Sequence, residues 1–143
     1  VNALGDIFDM DSGRRLAGML TPGLDGFADS EAALFRTCET RADNLFTGNT
    51  TIGAVMTNAA FGKAQLSKIA AMAQNGLART IRPVHTTADG DTIYALSAGG
   101  MRANLDAVGT LAAYVMGKAV NRAVTSATFL VGCPAARDLR FAR

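Results

Sequence analysis

Gly48-Asn49-Thr50-Thr51-Ile52-Gly53-Ala54-Val55-Met56-Thr57-Asn58-Ala59 is the stretch that decides the fold, because a turn-forming Gly-Asn pair runs straight into an apolar, β-branched run that reads as a strand over 50–57. The strand opens on a hydroxyl. Were the backbone cut before Thr50, one residue would carry both a nucleophilic hydroxyl and a free α-amine. An amine with an unperturbed pKa of about 7.7–8.0 can accept the hydroxyl's proton near neutral pH, so the residue would supply part of its own base. Residue types alone leave Thr50 and Thr51 both open as that nucleophile. Alternation along a strand turns them to opposite faces, and only one can point into a site.

Downstream, Leu66, Ile69, Ala70, Ala73 and Leu77 repeat at helical spacing and predict a helix over roughly Lys63 to Thr80, with Gly62 at its N-cap and Pro83 blocking any continuation. Thr92–Ser97 reads as a strand, Gly99-Gly100 as a turn, and Asn104 or Asp106 caps a second helix whose stripe is Leu105, Val108, Ala112, Val115, Ala119 and Ala123. A last short strand is expected over Thr128–Val131. Upstream, residues 1–20 read as a hairpin around Asp9-Met10-Asp11-Ser12-Gly13. Its Asp9/Asp11/Gly13 spacing touches on a calcium loop, but Leu16 and Leu20 stand where ligands would be needed, so a solvated turn is the reading. Residues 21–49 break periodicity, with a short helical stretch over Ser30–Cys38. This order of elements packs helices on a predominantly antiparallel or mixed sheet, an α/β (α+β) architecture.

Composition removes several function classes. The 14 basic and 12 acidic residues leave a formal charge of +2 with no basic stripe, so nucleic-acid binding lacks support. No apolar run reaches membrane-span length and no signal-peptide core follows the first residues, which reads as a cytoplasmic chain. Cys38 and Cys133 stand apart and read as reduced thiols in or near the core, and a single His disfavours a zinc cluster. No metal and no cofactor are expected. With 15 Gly, many Ala and no Trp, the chain suggests close packing of helices on a sheet within a core that neighbours complete.

Two further segments, Val1-Asn2-Ala3-Leu4-Gly5-Asp6 and His85-Thr86-Thr87-Ala88-Asp89-Gly90-Asp91-Thr92-Ile93-Tyr94-Ala95-Leu96, flank the Asn49-Thr50 junction. In this order and at these separations, the three motifs resemble the self-processing aminopeptidases and amide hydrolases that include D-aminopeptidase/esterase, β-peptidyl aminopeptidase and nylon-oligomer hydrolase. Gly76-Leu77-Ala78-Arg79, Val108-Gly109-Thr110-Leu111-Ala112-Ala113 and Pro134-Ala135-Ala136-Arg137-Asp138-Leu139 extend the resemblance over nearly the whole chain. Family members are more than twice as long, so the expectation is a C-terminal half, lacking an upstream part with a Gly-rich segment and an active-site Lys.

The resemblance implies an α-β-β-α sandwich of two sheets covered by helices, with the nucleophile opening a central strand at Thr50. It implies self-cleavage between Asn49 and Thr50, dividing the chain into 1–49, whose segment 21–49 is a flexible connection, and a smaller chain 50–143. Thr50 would then attack substrate amides through an acyl-enzyme. Asn2, in isolation a turn or strand-edge residue, becomes an amide donor to an oxyanion or to the nucleophile. Asp89 and Asp91, by themselves solvated turn carboxylates, become groups that order the nucleophile and the Lys outside this chain. His85 invites a role as general base, but the resemblance does not rely on it and it reads as structural.

Expected partners are a small peptide or amide-oligomer substrate, the upstream half of the same protein and further copies of the processed unit. Two alternatives stand beside this reading. Ornithine acetyltransferases share the fold type and a Thr nucleophile in a different local sequence, and a truncated half without its partner would have no turnover.

Overall fold

The computed structural model describes residues 1–38 and 49–139. In chain order its elements are β1 (Asp6–Phe8), β2 (Arg15–Ala17), α1 (Ser30–Phe35), β3 (Ile52–Ala59), α2 (Lys63–Thr80), β4 (Ile81–Arg82), β5 (Thr92–Met101) and α3 (Leu105–Ser126), with a short 3-10 turn at Ala136–Asp138. The expected α/β class is found, with one antiparallel and one parallel sheet. The antiparallel sheet runs β2-β1-β4 and the parallel one pairs β3 with β5.

The hairpin forms where its turn chemistry puts it. Asp9 Oδ1 accepts the N–H and Oγ–H of Ser12 at 2.8 and 2.7 Å, an Asx turn that reverses the chain between β1 and β2. These same donors hold the Asp9 carboxyl below its ordinary range. Asp6, 1% exposed, then ties the hairpin to the segment after it. It accepts the N–H of Met19 at 2.9 Å and the N–H and Oγ–H of Ser30 at 3.0 and 2.8 Å, and faces Arg15 at 3.5 Å. A buried carboxylate with four partners is satisfied, so the expected connection 21–49 is anchored to the hairpin through Ser30. Residues 39–48 of that connection lie outside the described residues.

Helix α2 has the predicted bounds, and Ile69, Ala73 and Leu77 on its predicted face are fully buried. Gly62 caps it with its N–H donated to Gln65 Oε1 at 3.0 Å. Helix α3 corrects the predicted stripe. Its buried residues are Gly109, Ala112, Ala113, Met116, Gly117, Val120 and Asn121, whereas Val115 is 54% exposed and Ala119 and Ala123 also face solvent. The cause is close approach. A Cβ on Gly76 of α2 would lie 2.3 Å from the Ala113 carbonyl oxygen, and one on Gly109 would lie 2.3 Å from Met72 Sδ. Small residues four apart let the helices touch along a ridge that a search for large apolar side chains overlooks. Asn121 then holds the hairpin, with its Oδ1 accepting the Met10 N–H and its Nδ2 donating to the Phe8 carbonyl, both at 2.8 Å.

Three further expectations are corrected. Gly99-Gly100 is not a turn but part of β5, because a glycine at 99 lets the strand pass Asn58, whose carbonyl oxygen a Cβ would meet at 2.2 Å. Thr128–Val131 is not a strand. The chain turns back there through Leu130 and Cys133, with Val131 and Gly132 at φ 44° and 79°. Both cysteines are free and exposed rather than in or near the core. Strand β4 was not foreseen. It extends α2 directly into the antiparallel sheet, pairing Ile81 with Ile7 and Arg82 with Asp6.

The helices cover one face of the parallel pair, burying Gly53, Ala59 and Ile93 and half-burying Val55 and Ala95. The other face is apolar and open. Ile52, Met56, Tyr94 and Leu96 are 68%, 77%, 59% and 48% exposed, and the cross-strand pairs Ala54 with Tyr94 and Met56 with Leu96 lie on it. Among the described residues β3 pairs with β5 alone, so the strand expected at the centre of a sheet here has a free edge. No helix among the described residues is long and apolar enough to cross a membrane.

Candidate functional site

Thr50 lies just before β3, where two other segments meet it. On one side is Val1–Leu4, the extended lead into β1. On the other is the loop 83–91 that carries the chain from β4 to β5. Gly5 brings the two together, because a Cβ there would lie 2.2 Å from the Pro83 carbonyl oxygen and only a glycine permits that approach.

The Asn49–Thr50 peptide is gripped at both ends. Its N–H donates to the Asn2 carbonyl at 3.2 Å, and its carbonyl oxygen accepts the Gly90 N–H at 3.4 Å. These contacts form an antiparallel bridge between Asn2 and Thr50 and a parallel bridge between Asn49 and Asp89. The half-buried Thr50 hydroxyl donates to the carbonyl oxygen of the preceding residue, Asn49, at 2.6 Å. Thr51 is turned the other way, as alternation requires. It is 2% exposed and its hydroxyl has no partner among the described residues. The two threonines left open by the sequence thus occupy opposite environments, with only Thr50 beside the junction peptide's carbonyl.

The structure brings Asp89, Asp91 and His85 together in the same loop. Asp91, with its side chain 1% exposed, accepts the Thr51 N–H through Oδ1 at 2.9 Å and faces His85 Nδ1 through Oδ2 at 3.5 Å. Asp89 Oδ1 and Asp91 Oδ2 are buried without a hydrogen-bond donor among the described residues. Burial pushes the Asp89 carboxyl up to about 6, and the neighbouring Asp91 carboxyl adds to the rise. A main-chain hydrogen bond from Leu4 and the proximity of His85 pull it partly back. Burial and a second carboxyl nearby both favour the protonated form of Asp89.

His85 itself adopts φ 59°, a left-handed conformation uncommon outside glycine. Its ring is 39% exposed, so it stands between Asp91 and solvent. Sequence reasoning set it aside as structural, and its contact with Asp91 could not be read from its position six residues earlier.

Asn2 meets Thr50 through its main chain. Its side chain is exposed and makes no hydrogen bond among the described residues. Gly90 stands in the sequence motif only as the residue between Asp89 and Asp91, since a main-chain donor leaves no side-chain signal. The arrangement presents a hydroxyl, a polarised carbonyl and a titratable pair in one small volume, which suits acyl chemistry at Asn49 or at an acyl group that takes its place. Among the described residues no group of three or more His, Cys, Asp or Glu is placed to hold a metal ion.

Residues 12–136 match the model of peptidase family S58. An uncharacterized aminopeptidase of Mycobacterium leprae is 35% identical over 154 residues, covering 94% of this chain and 41% of that protein. An uncharacterized aminopeptidase of Mycobacterium tuberculosis is 42% identical over 106 residues, covering 64% of this chain and 31% of that protein. A 6-aminohexanoate-oligomer endohydrolase of Paenarthrobacter ureafaciens is 35% identical over 86 residues, covering 51% and 24%. The chain therefore spans about two fifths or less of the length of these relatives.

Proposed function

The chain belongs to peptidase family S58, and from that premise we propose that the full-length protein is an amide hydrolase that cuts its own backbone between Asn49 and Thr50 and then works through the freed Thr50. The observation that carries this reading is the junction peptide itself. It is fixed at both ends, and the Thr50 hydroxyl lies 2.6 Å from the Asn49 carbonyl oxygen.

Once free, the Thr50 amine assists its own hydroxyl as base, and an incoming amide forms an ester on that hydroxyl before water releases it. Asp91 holds the first residue after the nucleophile in register. Asn2 supplies its carbonyl to the Thr50 nitrogen, and its side chain donates once substrate is bound. The relatives' names, aminopeptidase and 6-aminohexanoate-oligomer endohydrolase, support amides of small peptides or linear oligomers as the substrate class.

The open apolar face formed by Ile52, Met56, Tyr94 and Leu96 supports a second layer of protein over this sheet. We assign that layer to an upstream part of the same polypeptide, which also contributes the remaining catalytic groups, and the processed units to a homo-oligomer. The test is mass spectrometry of the purified full-length protein. Two chains are expected, the second beginning at Thr50, and Thr50→Ala leaves one chain without amidase activity. An uncut wild-type chain with full amidase activity overturns the proposal.

A further inference from the structure

Resting on that reading, we infer that the main-chain N–H of Gly90 is a catalytic donor for the self-cleavage step, binding the oxyanion that develops on the Asn49 carbonyl. In the step, the Thr50 Oγ lone pair forms a bond to the Asn49 carbonyl carbon while the hydroxyl proton passes to a solvent water and the carbonyl π electrons move onto oxygen. The product is a five-membered ring bearing a negative oxygen. Collapse of that intermediate re-forms the carbonyl and breaks the bond to the Thr50 nitrogen, which takes the proton back from solvent. Water then hydrolyses the resulting ester, leaving a carboxylate on Asn49 and restoring the Thr50 hydroxyl.

Among the described residues the oxygen that carries the charge has two donors, the Thr50 hydroxyl at 2.6 Å and the Gly90 N–H at 3.4 Å. The first is the attacking group and loses its proton in the step. Gly90 alone can remain on the oxygen throughout. Its bond is long with the carbonyl planar and neutral, and it strengthens as charge builds on the oxygen, so it favours the transition state over the ground state. The residue type serves the same end. A Cβ at position 90 would lie 3.0 Å from Thr50 Oγ, so glycine leaves the hydroxyl room to turn from the carbonyl oxygen towards the carbon. The Asn2 side chain, the donor expected from sequence, is exposed and makes no hydrogen bond among the described residues.

The test replaces Gly90 by glycolic acid in the full-length precursor, exchanging the N–H for an ester oxygen without adding a side chain. Cleavage before Thr50, followed by mass spectrometry, is expected to slow about 10²–10³-fold. The control is glycolic acid at position 13, which removes the hairpin turn's Gly13 N–H to Asp9 carbonyl bond of 2.8 Å and is expected to stay near the wild-type rate. Gly90→Ala keeps the donor, crowds the hydroxyl and is expected to cleave within about tenfold of wild type, which keeps the inference open to refutation if the position-90 ester does not fold. Wild-type speed in the glycolate variant, equal slowing in both esters, or complete loss in Gly90→Ala overturns the role of the N–H. A wild-type precursor that never cleaves overturns the proposed function instead.

Discussion

Asp91 accepts the Thr51 N–H at 2.9 Å from a side chain that is only 1% exposed. The loop before β5 and the start of β3 are thus joined by a buried carboxylate, one residue beyond the proposed nucleophile. A side chain held this way fixes register, because a one-residue slip of β3 would bring Thr50 N–H to Asp91 and turn its hydroxyl inward.

Stability should also depend on pH through Asp89. Asp89 titrates at 3.8 when unperturbed and near 6 in the fold. Between those values the folded chain keeps a proton that the unfolded chain has lost, so stability is highest below about pH 4 as far as this group is concerned and falls as pH rises towards about 6. Thermal unfolding of the processed full-length protein across this window should show Tm falling, and Asp89→Asn, which mimics the protonated form, should flatten the slope. A wild-type Tm that rises from pH 4 to 6 with the same slope in Asp89→Asn would remove Asp89 from the account.

His85 opposes the rise at Asp89. His85→Asn keeps a side chain that tolerates the left-handed backbone and removes the ring beside Asp91. The midpoint of the pH-dependent stability change is expected to move upward. The same shift should appear in the pH profile of self-cleavage, measured by the fraction cut after a fixed time, if Asp89 must be ionised for cleavage. An unmoved midpoint in both would make His85 a purely structural ring.

Thr51→Val should be close to neutral or stabilising by up to about 1 kcal/mol, since the lost hydroxyl is buried and has no partner among the described residues. Self-cleavage should continue before Thr50. Denaturant unfolding together with N-terminal mapping checks both halves, and loss of cleavage on this substitution would show that the hydroxyl of Thr51, not Thr50, is the one used.

Gly76→Ala should cost about 1–3 kcal/mol, because its Cβ would meet the Ala113 carbonyl oxygen at 2.3 Å and Met116 Cβ at 2.8 Å. A helix-interior Gly to Ala change in the absence of that contact would stabilise by roughly 0.5–1 kcal/mol. The sign of the change in Tm thus reports directly on the closeness of α2 and α3.

The sequence is legible where its signals are local. Helix α2 was readable to the residue because Leu66, Ile69, Ala73 and Leu77 recur at one period and Gly62 and Pro83 bracket them. The buried face of α3 was misread because its contacts are made by Gly109, Ala113 and Gly117, residues whose value lies in being small beside a particular partner. Strand β4 was missed because two residues, Ile81 and Arg82, carry no periodicity and acquire strand geometry only from β1. At the candidate site, Thr50, Asp89 and Asp91 were visible as side chains in motifs and the fold draws them into one neighbourhood. The carbonyl of Asn2 and the N–H of Gly90 were not, since every residue other than proline owns such groups and only tertiary structure decides which ones meet.

The Asn2 carbonyl that receives the Thr50 N–H lies outside the bond proposed to be cut. Scission would turn an amide nitrogen with one hydrogen into an amine with more, and the acceptor facing it would be unchanged. A newborn chain end ordinarily frays; this one would be born already stitched to the other polypeptide. Two molecules in the covalent sense would stay one object in the mechanical sense, joined at the atom on which the later chemistry depends.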